Sequence, residues 1–114
     1  MNKRKVIIPA LMLCALAACK KSTTTEIPIG TVDCATVSYT ETIKPLFDAN
    51  CVSCHNTNSP DGALSNYAET KIYADNGKLK DEVLSSRSMP IGTPLTSTAL
   101  GQVKCWLDAG APSN

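Results

Sequence analysis

The five residues Cys51-Val52-Ser53-Cys54-His55 constrain this chain more than any other feature. Two thiols at this spacing can each form a thioether to one haem, and the histidine that follows can ligate its iron. A C-x-x-C-H run is therefore typical of covalent haem c attachment. Three other interpretations of the run stay open at this point: a redox-active thiol pair, part of a zinc site, and a structural disulfide.

The N-terminal residues have the features of an export leader. Residues 1–5 include three basic residues, and residues 6–15 form an apolar run too short to span a bilayer as a stable helix. Small residues then precede Cys19, as in the lipobox of bacterial lipoproteins, whose leader is cut before a cysteine that becomes lipidated. We expect a signal peptide at residues 1–18, a membrane-anchoring lipid on Cys19, and location in the bacterial cell envelope, facing the periplasm or the exterior. The alternative is an ordinary secretory signal that leaves Cys19 free.

The remainder of the chain predicts a tether and one domain. Residues 19–33 are rich in threonine and form the tether, and residues 34–114 form the domain. Ile27, Ile29 and Val32 are spaced as in a short edge strand, so we expect partial docking of the tether there. Loss of the leader's three basic residues lowers Lys and Arg from 11 to eight against ten acids, a net charge of −2. Such a weak charge does not indicate nucleic-acid binding, and we expect a monomer.

Apolar residues recur at helical spacing through the domain, which predicts an all-α fold of three to five short helices. In the first helix Pro45 fits only within the first turn, because its ring blocks an interior hydrogen bond. That helix therefore begins near Thr42 and ends at Cys51. For the second helix we expect an inner stripe of Leu64, Ala68 and Ile72 that faces the core. The three later helices are predicted at Asn66 to Asn76, Leu79 to Ser85, and Ser97 to Ala109.

The count of six cysteines leaves two for a disulfide. One lies in the leader, Cys19 takes the lipid, and Cys51 and Cys54 take the haem. We expect the remaining pair, Cys34 and Cys105, to bond, because an oxidising compartment disfavours free thiols. Cys105 falls opposite the apolar stripe of the last helix, so the bond would join the tether to that helix's outer face. The count also balances if Cys51 and Cys54 form a disulfide.

The supply of metal ligands is equally restricted. Without the leader the chain has one histidine, His55, and one methionine, Met89. An iron with two protein axial ligands can take only this pair, and Met/His ligation recurs in haem proteins. We expect a backbone carbonyl at residues 59–60 to orient the imidazole. A zinc site would need Cys34 or Cys105 as a fourth ligand beside the three residues of the motif.

These features occur together: a helix that ends in C-x-x-C-H, short middle helices, a Met89-Pro90 loop, and an amphipathic last helix with Trp106. From about Ser38 to its end, the chain resembles a small mono-haem class I cytochrome c domain. The resemblance implies helices packed around one covalent haem c, with the first and last helices crossing so that Phe47 lies near Trp106. It also implies a role for each of four residues: thioether links at Cys51 and Cys54, and axial ligands at His55 and Met89.

The resemblance implies single-electron transfer with redox partner proteins rather than an enzymatic reaction, because an iron with both axial positions filled has no place for a substrate. A second hypothesis is a haem domain whose sixth position, without Met89, binds a small ligand or peroxide. Only Arg87 could assist peroxide cleavage there, and we expect it to be a solvated loop residue. A third hypothesis is thiol–disulfide exchange by Cys51 and Cys54, against which the lack of a β-α-β pattern argues.

Overall fold

The computed structural model describes residues 26–114, and within them the chain is helical with no β-strand. The leader and Cys19 lie outside the described residues. A 3₁₀ turn at Cys34–Thr36 is followed by a π-helical turn at Tyr39–Ile43 that continues directly into helix α1, Lys44–Asn50. Helix α2 covers Tyr67–Asp75, a second π-helical turn covers Lys80–Ser85, and helix α3 covers Ser97–Asp108. The all-α prediction is therefore confirmed for this part of the chain.

The first helical run begins three residues earlier than predicted. Ser38 caps it, accepting a hydrogen bond at its side chain from the Glu41 amide. The turn is π-helical, with the Ile43 amide donating to the Ser38 carbonyl oxygen at 3.1 Å. Pro45 then enters within the first turn of α1, where no amide is required. The wider turn ahead of the proline therefore allows one continuous helical run where the sequence predicted a start near Thr42.

Helix α2 has the predicted position but a different inner face. The Asn66 side chain caps it by accepting a hydrogen bond from the Glu69 amide. Thr70 is fully buried, and its hydroxyl donates to the Leu64 carbonyl oxygen. Leu64, just before the helix, is buried as predicted. Ile72 is 61% exposed and Ala68 is also exposed, so the prediction that these two face the core is wrong. Thr70 can be buried because its hydroxyl has the Leu64 carbonyl oxygen as its hydrogen-bond acceptor. The hydropathy of the sequence does not show that a polar residue takes the buried position.

Helix α3 agrees closely with its prediction. Thr96 caps it by accepting a hydrogen bond from the Ala99 amide at 3.1 Å, and Gly110 follows its end with φ +85°. The apolar stripe is buried against the rest of the fold, with Trp106 at 1% and Val103 at 0% exposure. The last helix is therefore the central element of the core.

Aromatic rings join the first and last helical runs. The centroids of Phe47 and Trp106 lie 6.3 Å apart in an edge-on arrangement, which confirms the predicted contact. Tyr39 lies 5.8 Å from the same indole and 5.0 Å from Tyr67. The indole N–H of Trp106 donates to the Pro112 carbonyl oxygen at 2.9 Å, so the polar group of this buried side chain has a hydrogen-bond partner. These contacts fix α1 and α3 relative to each other.

Residues 27–34, which we call the strap, lie along α3. Cys34 and Cys105 form a disulfide with a Cα–Cα distance of 5.2 Å, as the cysteine count predicted. The Gly30 amide donates to the Ser97 carbonyl oxygen at 2.8 Å. A Cβ on Gly101 would lie 2.2 Å from the Gly30 carbonyl oxygen, so glycine is required for this approach. Cys105 is only 9% exposed, because the strap, bonded to it through Cys34, covers the face of α3 to which the sequence predicted that the tether is joined.

Candidate functional site

All four residues that the sequence assigns to the haem line one cavity of about 540 Å³. This volume is within the range of about 300–1,000 Å³ that is usual for ligand pockets. The four come from the turn after α1 and from the loop that precedes α3. Most of the remaining wall is apolar, and Asp61, Lys78 and Glu82 contribute the charged groups. The assigned residues in the wall are Cys51, Cys54, His55 and Met89.

The end of α1 sets the positions of the two thiols. The Cys51 amide donates to the Phe47 carbonyl oxygen at 2.8 Å and so continues the helical hydrogen bonding. The Cys51 carbonyl oxygen in turn accepts from the amides of Cys54 at 3.1 Å and His55 at 2.9 Å. The whole motif is thus one compact turn. Both cysteines are free thiols, so the alternative of a Cys51–Cys54 disulfide is not what the structure contains.

The two thiols differ in their surroundings. Cys54 is exposed, whereas Cys51 is partly buried and packs against the core. Burial raises the pKa of the Cys51 thiol to about 11, because the charged thiolate is disfavoured away from water. At neutral pH this group is therefore a protonated thiol. Reactive thiols of disulfide-exchange proteins need the opposite shift, toward the thiolate, which argues against the third hypothesis.

The imidazole of His55 is oriented by a backbone carbonyl. Its Nδ1 lies 2.8 Å from the Gly62 carbonyl oxygen, which can only accept, so a neutral ring carries its proton on Nδ1 and keeps the lone pair of Nε2 free. This is the arrangement expected of a metal-ligating histidine. The prediction of residues 59–60 as the acceptor is wrong. Gly62 adopts φ +102°, a conformation that favours glycine and turns its carbonyl to the ring.

Tyr73 covers the same glycine from α2. A Cβ at Gly62 would lie 2.0 Å from the tyrosine hydroxyl oxygen, so the phenol packs directly on this part of the backbone. The backbone of His55 is also fixed on its carbonyl side, because the Leu64 amide donates to its carbonyl oxygen at 2.8 Å. The sequence predicted a turn-rich loop here, but it contained no signal for which carbonyl would meet the imidazole.

Met89 lies in the loop between the second π-helical turn and α3. Its side chain is partly buried against the core, and its amide donates to the Glu82 carbonyl oxygen at 3.0 Å. Arg87, two residues earlier, is not the solvated residue that the sequence predicted. Its guanidinium donates to the carbonyl oxygens of Leu84 at 2.8 Å and Ile27 at 2.9 Å. It does not line the cavity, so it offers no help for peroxide chemistry there.

Among the residues that the structure describes, a zinc site at the C-x-x-C-H motif has no fourth cysteine or histidine ligand available. Cys34 and Cys105 were the candidates for that position, and each is bonded to the other. In the described part of the chain, no cluster of three or more His, Cys, Asp or Glu side chains is arranged to hold a metal ion. Residues 26–114 also contain no helix that is long and apolar enough to cross a membrane.

No family model, no curated protein and no solved structure matches this chain. The function is therefore inferred from the residues and their geometry.

Proposed function

We propose that this chain is a mono-haem c-type cytochrome that transfers single electrons and is held at a membrane by a lipid on Cys19. The observation that carries the proposal is the position of Met89. It lies 34 residues after His55 in sequence, yet both line the same cavity, together with the two free cysteines. The motif alone predicts haem attachment, whereas the presence of His55 and Met89 in one cavity wall supports this pair as the two iron ligands.

The thiols fit covalent attachment. Cys51 and Cys54 are both free, both line the cavity, and both belong to one hydrogen-bonded turn that fixes their separation. The apolar wall around them suits a large flat cofactor with little charge at its centre. In this proposal the two thiols form thioethers to one haem and keep it permanently in the cavity.

The axial ligands fit as well. The Gly62 carbonyl selects the His55 tautomer whose Nε2 is free to bind iron, and it increases the basicity of the ring. Met89 supplies a thioether, a ligand that raises the reduction potential in cytochromes c. When bound, the haem would supply one-electron redox chemistry, and with His55 and Met89 both as ligands it would offer no open position for a substrate. The chain's own contribution is to bind, orient and partly bury the group.

The proposed setting follows from the sequence features of the leader. Lipidation of Cys19 would hold a monomer on the periplasmic or exterior side of a bacterial membrane, near redox partner proteins. Residues 20–26 separate the proposed lipid from the strap, which is attached to α3 through Gly30 and Cys34. We propose no nucleic-acid partner and no enzymatic reaction.

Carbon monoxide separates this function from a haem domain with an open sixth position. The reduced wild-type protein should bind carbon monoxide slowly or not at all, because Met89 would occupy the sixth coordination position of the iron. The Met89→Ala variant should bind it rapidly. Ile72→Ala is a matched control, since it truncates an exposed apolar side chain that is not in the cavity wall. Rapid binding by the wild-type protein, equal to that of Met89→Ala, would replace the electron carrier with the ligand-binding domain.

A further inference from the structure

The strap is attached to the fold at three successive points. At its end, Cys34 is bonded to Cys105 of α3. In its middle, the Gly30 amide donates to Ser97 at the start of the same helix. At its beginning, the Ile27 carbonyl oxygen accepts from the Arg87 guanidinium at 2.9 Å. The first two contacts join the strap to α3, whereas the third joins it to the loop that contains Met89.

Arg87 has a backbone conformation that needs support from its surroundings. Its φ is +57°, a left-handed value that residues other than glycine adopt infrequently. Such a conformation persists where surrounding contacts determine it. Here those contacts are the two hydrogen bonds from the guanidinium, one to Leu84 in the preceding π-helical turn and one across to the strap at Ile27.

The same loop is held on its other side near the methionine. The Met89 amide donates to the Glu82 carbonyl oxygen, and the Ser88 hydroxyl donates to the Glu82 carboxylate. Met89 is therefore fixed between Glu82, on the π-helical turn, and the contact of Arg87 with the strap. Neither the strap nor Arg87 lines the cavity, so both act on the site only through this loop.

We infer that Arg87 is a positioning residue for Met89, and that it works by fastening the Met89 loop to the carbonyl of Ile27 in the strap. The inference rests on the proposed function, in which Met89 is the sixth ligand of the iron. Ile27 is eight residues after Cys19, so the segment next to the proposed lipid anchor is also part of the support of the ligand. Without the guanidinium, the loop moves and the methionine leaves the iron more often.

The test compares three variants of the full haem-loaded chain. Arg87→Ala removes both hydrogen bonds, and Arg87→Lys keeps the charge and one donor group. Lys80→Ala is the control, because it removes a positive charge from an exposed side chain in the neighbouring turn without altering the loop contacts. Three quantities are measured for each: the rate of carbon monoxide binding to the reduced protein, the rate of hydrogen exchange at residues 86–91, and the long-wavelength absorption band of the oxidised protein.

Of the two hydrogen bonds lost in Arg87→Ala, only the one to Ile27 fastens the loop to the strap. Loss of that one charge-assisted hydrogen bond, if of ordinary strength, predicts that both rates rise at least about tenfold. Arg87→Lys should fall between Arg87→Ala and the wild-type protein, and Lys80→Ala should match the wild-type protein. The long-wavelength absorption band of methionine-ligated ferric haem should weaken in the same order. A role of Arg87 in global stability alone would not change this band or the binding rate while the protein remains folded.

The possible failures are distinguishable. If the wild-type protein excludes carbon monoxide and Arg87→Ala excludes it equally well, the positioning role is refuted and the proposed function stands. Faster hydrogen exchange in Arg87→Ala without a change in carbon monoxide binding also refutes the role, because the loop then moves without releasing the ligand. If the wild-type protein binds carbon monoxide as rapidly as Met89→Ala does, the ligation itself is wrong and the inference falls with it.

Discussion

Removal of the Cys34–Cys105 disulfide should lower the free energy of unfolding by about 2–4 kcal/mol. The bonded residues are separated by 71 positions, and closing a loop of that length in the unfolded chain corresponds to about 4 kcal/mol in the chain-entropy treatment. The folded state loses little else, because the Gly30–Ser97 hydrogen bond and the close approach at Gly101 stay in place. The effect is therefore expected mainly in the unfolded ensemble.

Urea unfolding followed by circular dichroism measures this change in the haem-loaded protein. The double variant Cys34→Ala/Cys105→Ala is compared with wild-type protein in which the bond has been reduced, because the reduced chain keeps both sulfur atoms and isolates the bond itself. Both should unfold at lower urea concentration than the oxidised wild-type protein. A loss below about 0.5 kcal/mol in both would refute the reasoning, since it would mean that the unfolded chain gains almost no freedom from the missing crosslink.

Three further predictions concern single positions. Gly101→Ala should lower stability by about 1–3 kcal/mol in thermal unfolding, because the new Cβ meets the Gly30 carbonyl oxygen; an unchanged midpoint would contradict this. Trp106→Ala should lower it by about 3–5 kcal/mol in urea, since the indole is 1% exposed. In protein that is produced without haem attachment, iodoacetamide should modify the exposed Cys54 first. The partly buried Cys51 should react only as the pH approaches about 11, the pKa of its thiol, and peptide mass mapping would show the order of modification. The stability gained by burying the protonated Cys51 thiol is present below pH 9.0, its unfolded pKa, and is lost as pH rises through about 11.

The last helix was predictable because its signals are local. Thr96 caps its start, Gly110 follows its end, and the spacing of Val103 and Trp106 defines its buried stripe. The burial of Cys105 was not predictable from the same pattern. Helical periodicity shows one apolar face, but it does not reveal that a distant segment covers a second face, and here the strap does so across Gly101. The disulfide itself could be predicted from the number of cysteines without knowledge of that geometry.

The candidate site divides in a similar way. From the C-x-x-C-H spacing and the scarcity of other ligands, the sequence predicts His55 and Met89 as iron ligands, and that ligation stays a prediction. The structure shows that both residues line one cavity. The supporting contacts of the site were not predictable from the sequence. The position of the Gly62 carbonyl against the His55 imidazole depends on the path of an irregular loop. The hydrogen bond of Arg87 to Ile27 joins residues that are 60 positions apart in the sequence. Such contacts are set by tertiary packing, and no local pattern encodes them.

The central claim is that one haem is bound covalently by Cys51 and Cys54, with His55 and Met89 as iron ligands. The most direct measurement is the visible absorption spectrum of the mature protein, matured with haem-attachment machinery and recorded after acid–acetone extraction, in the oxidised and reduced states. We predict that a c-type α band stays with the chain, and that the long-wavelength band of the oxidised protein is lost in Met89→Ala. Transfer of all haem into the acetone, or a chain that carries none, would contradict the account.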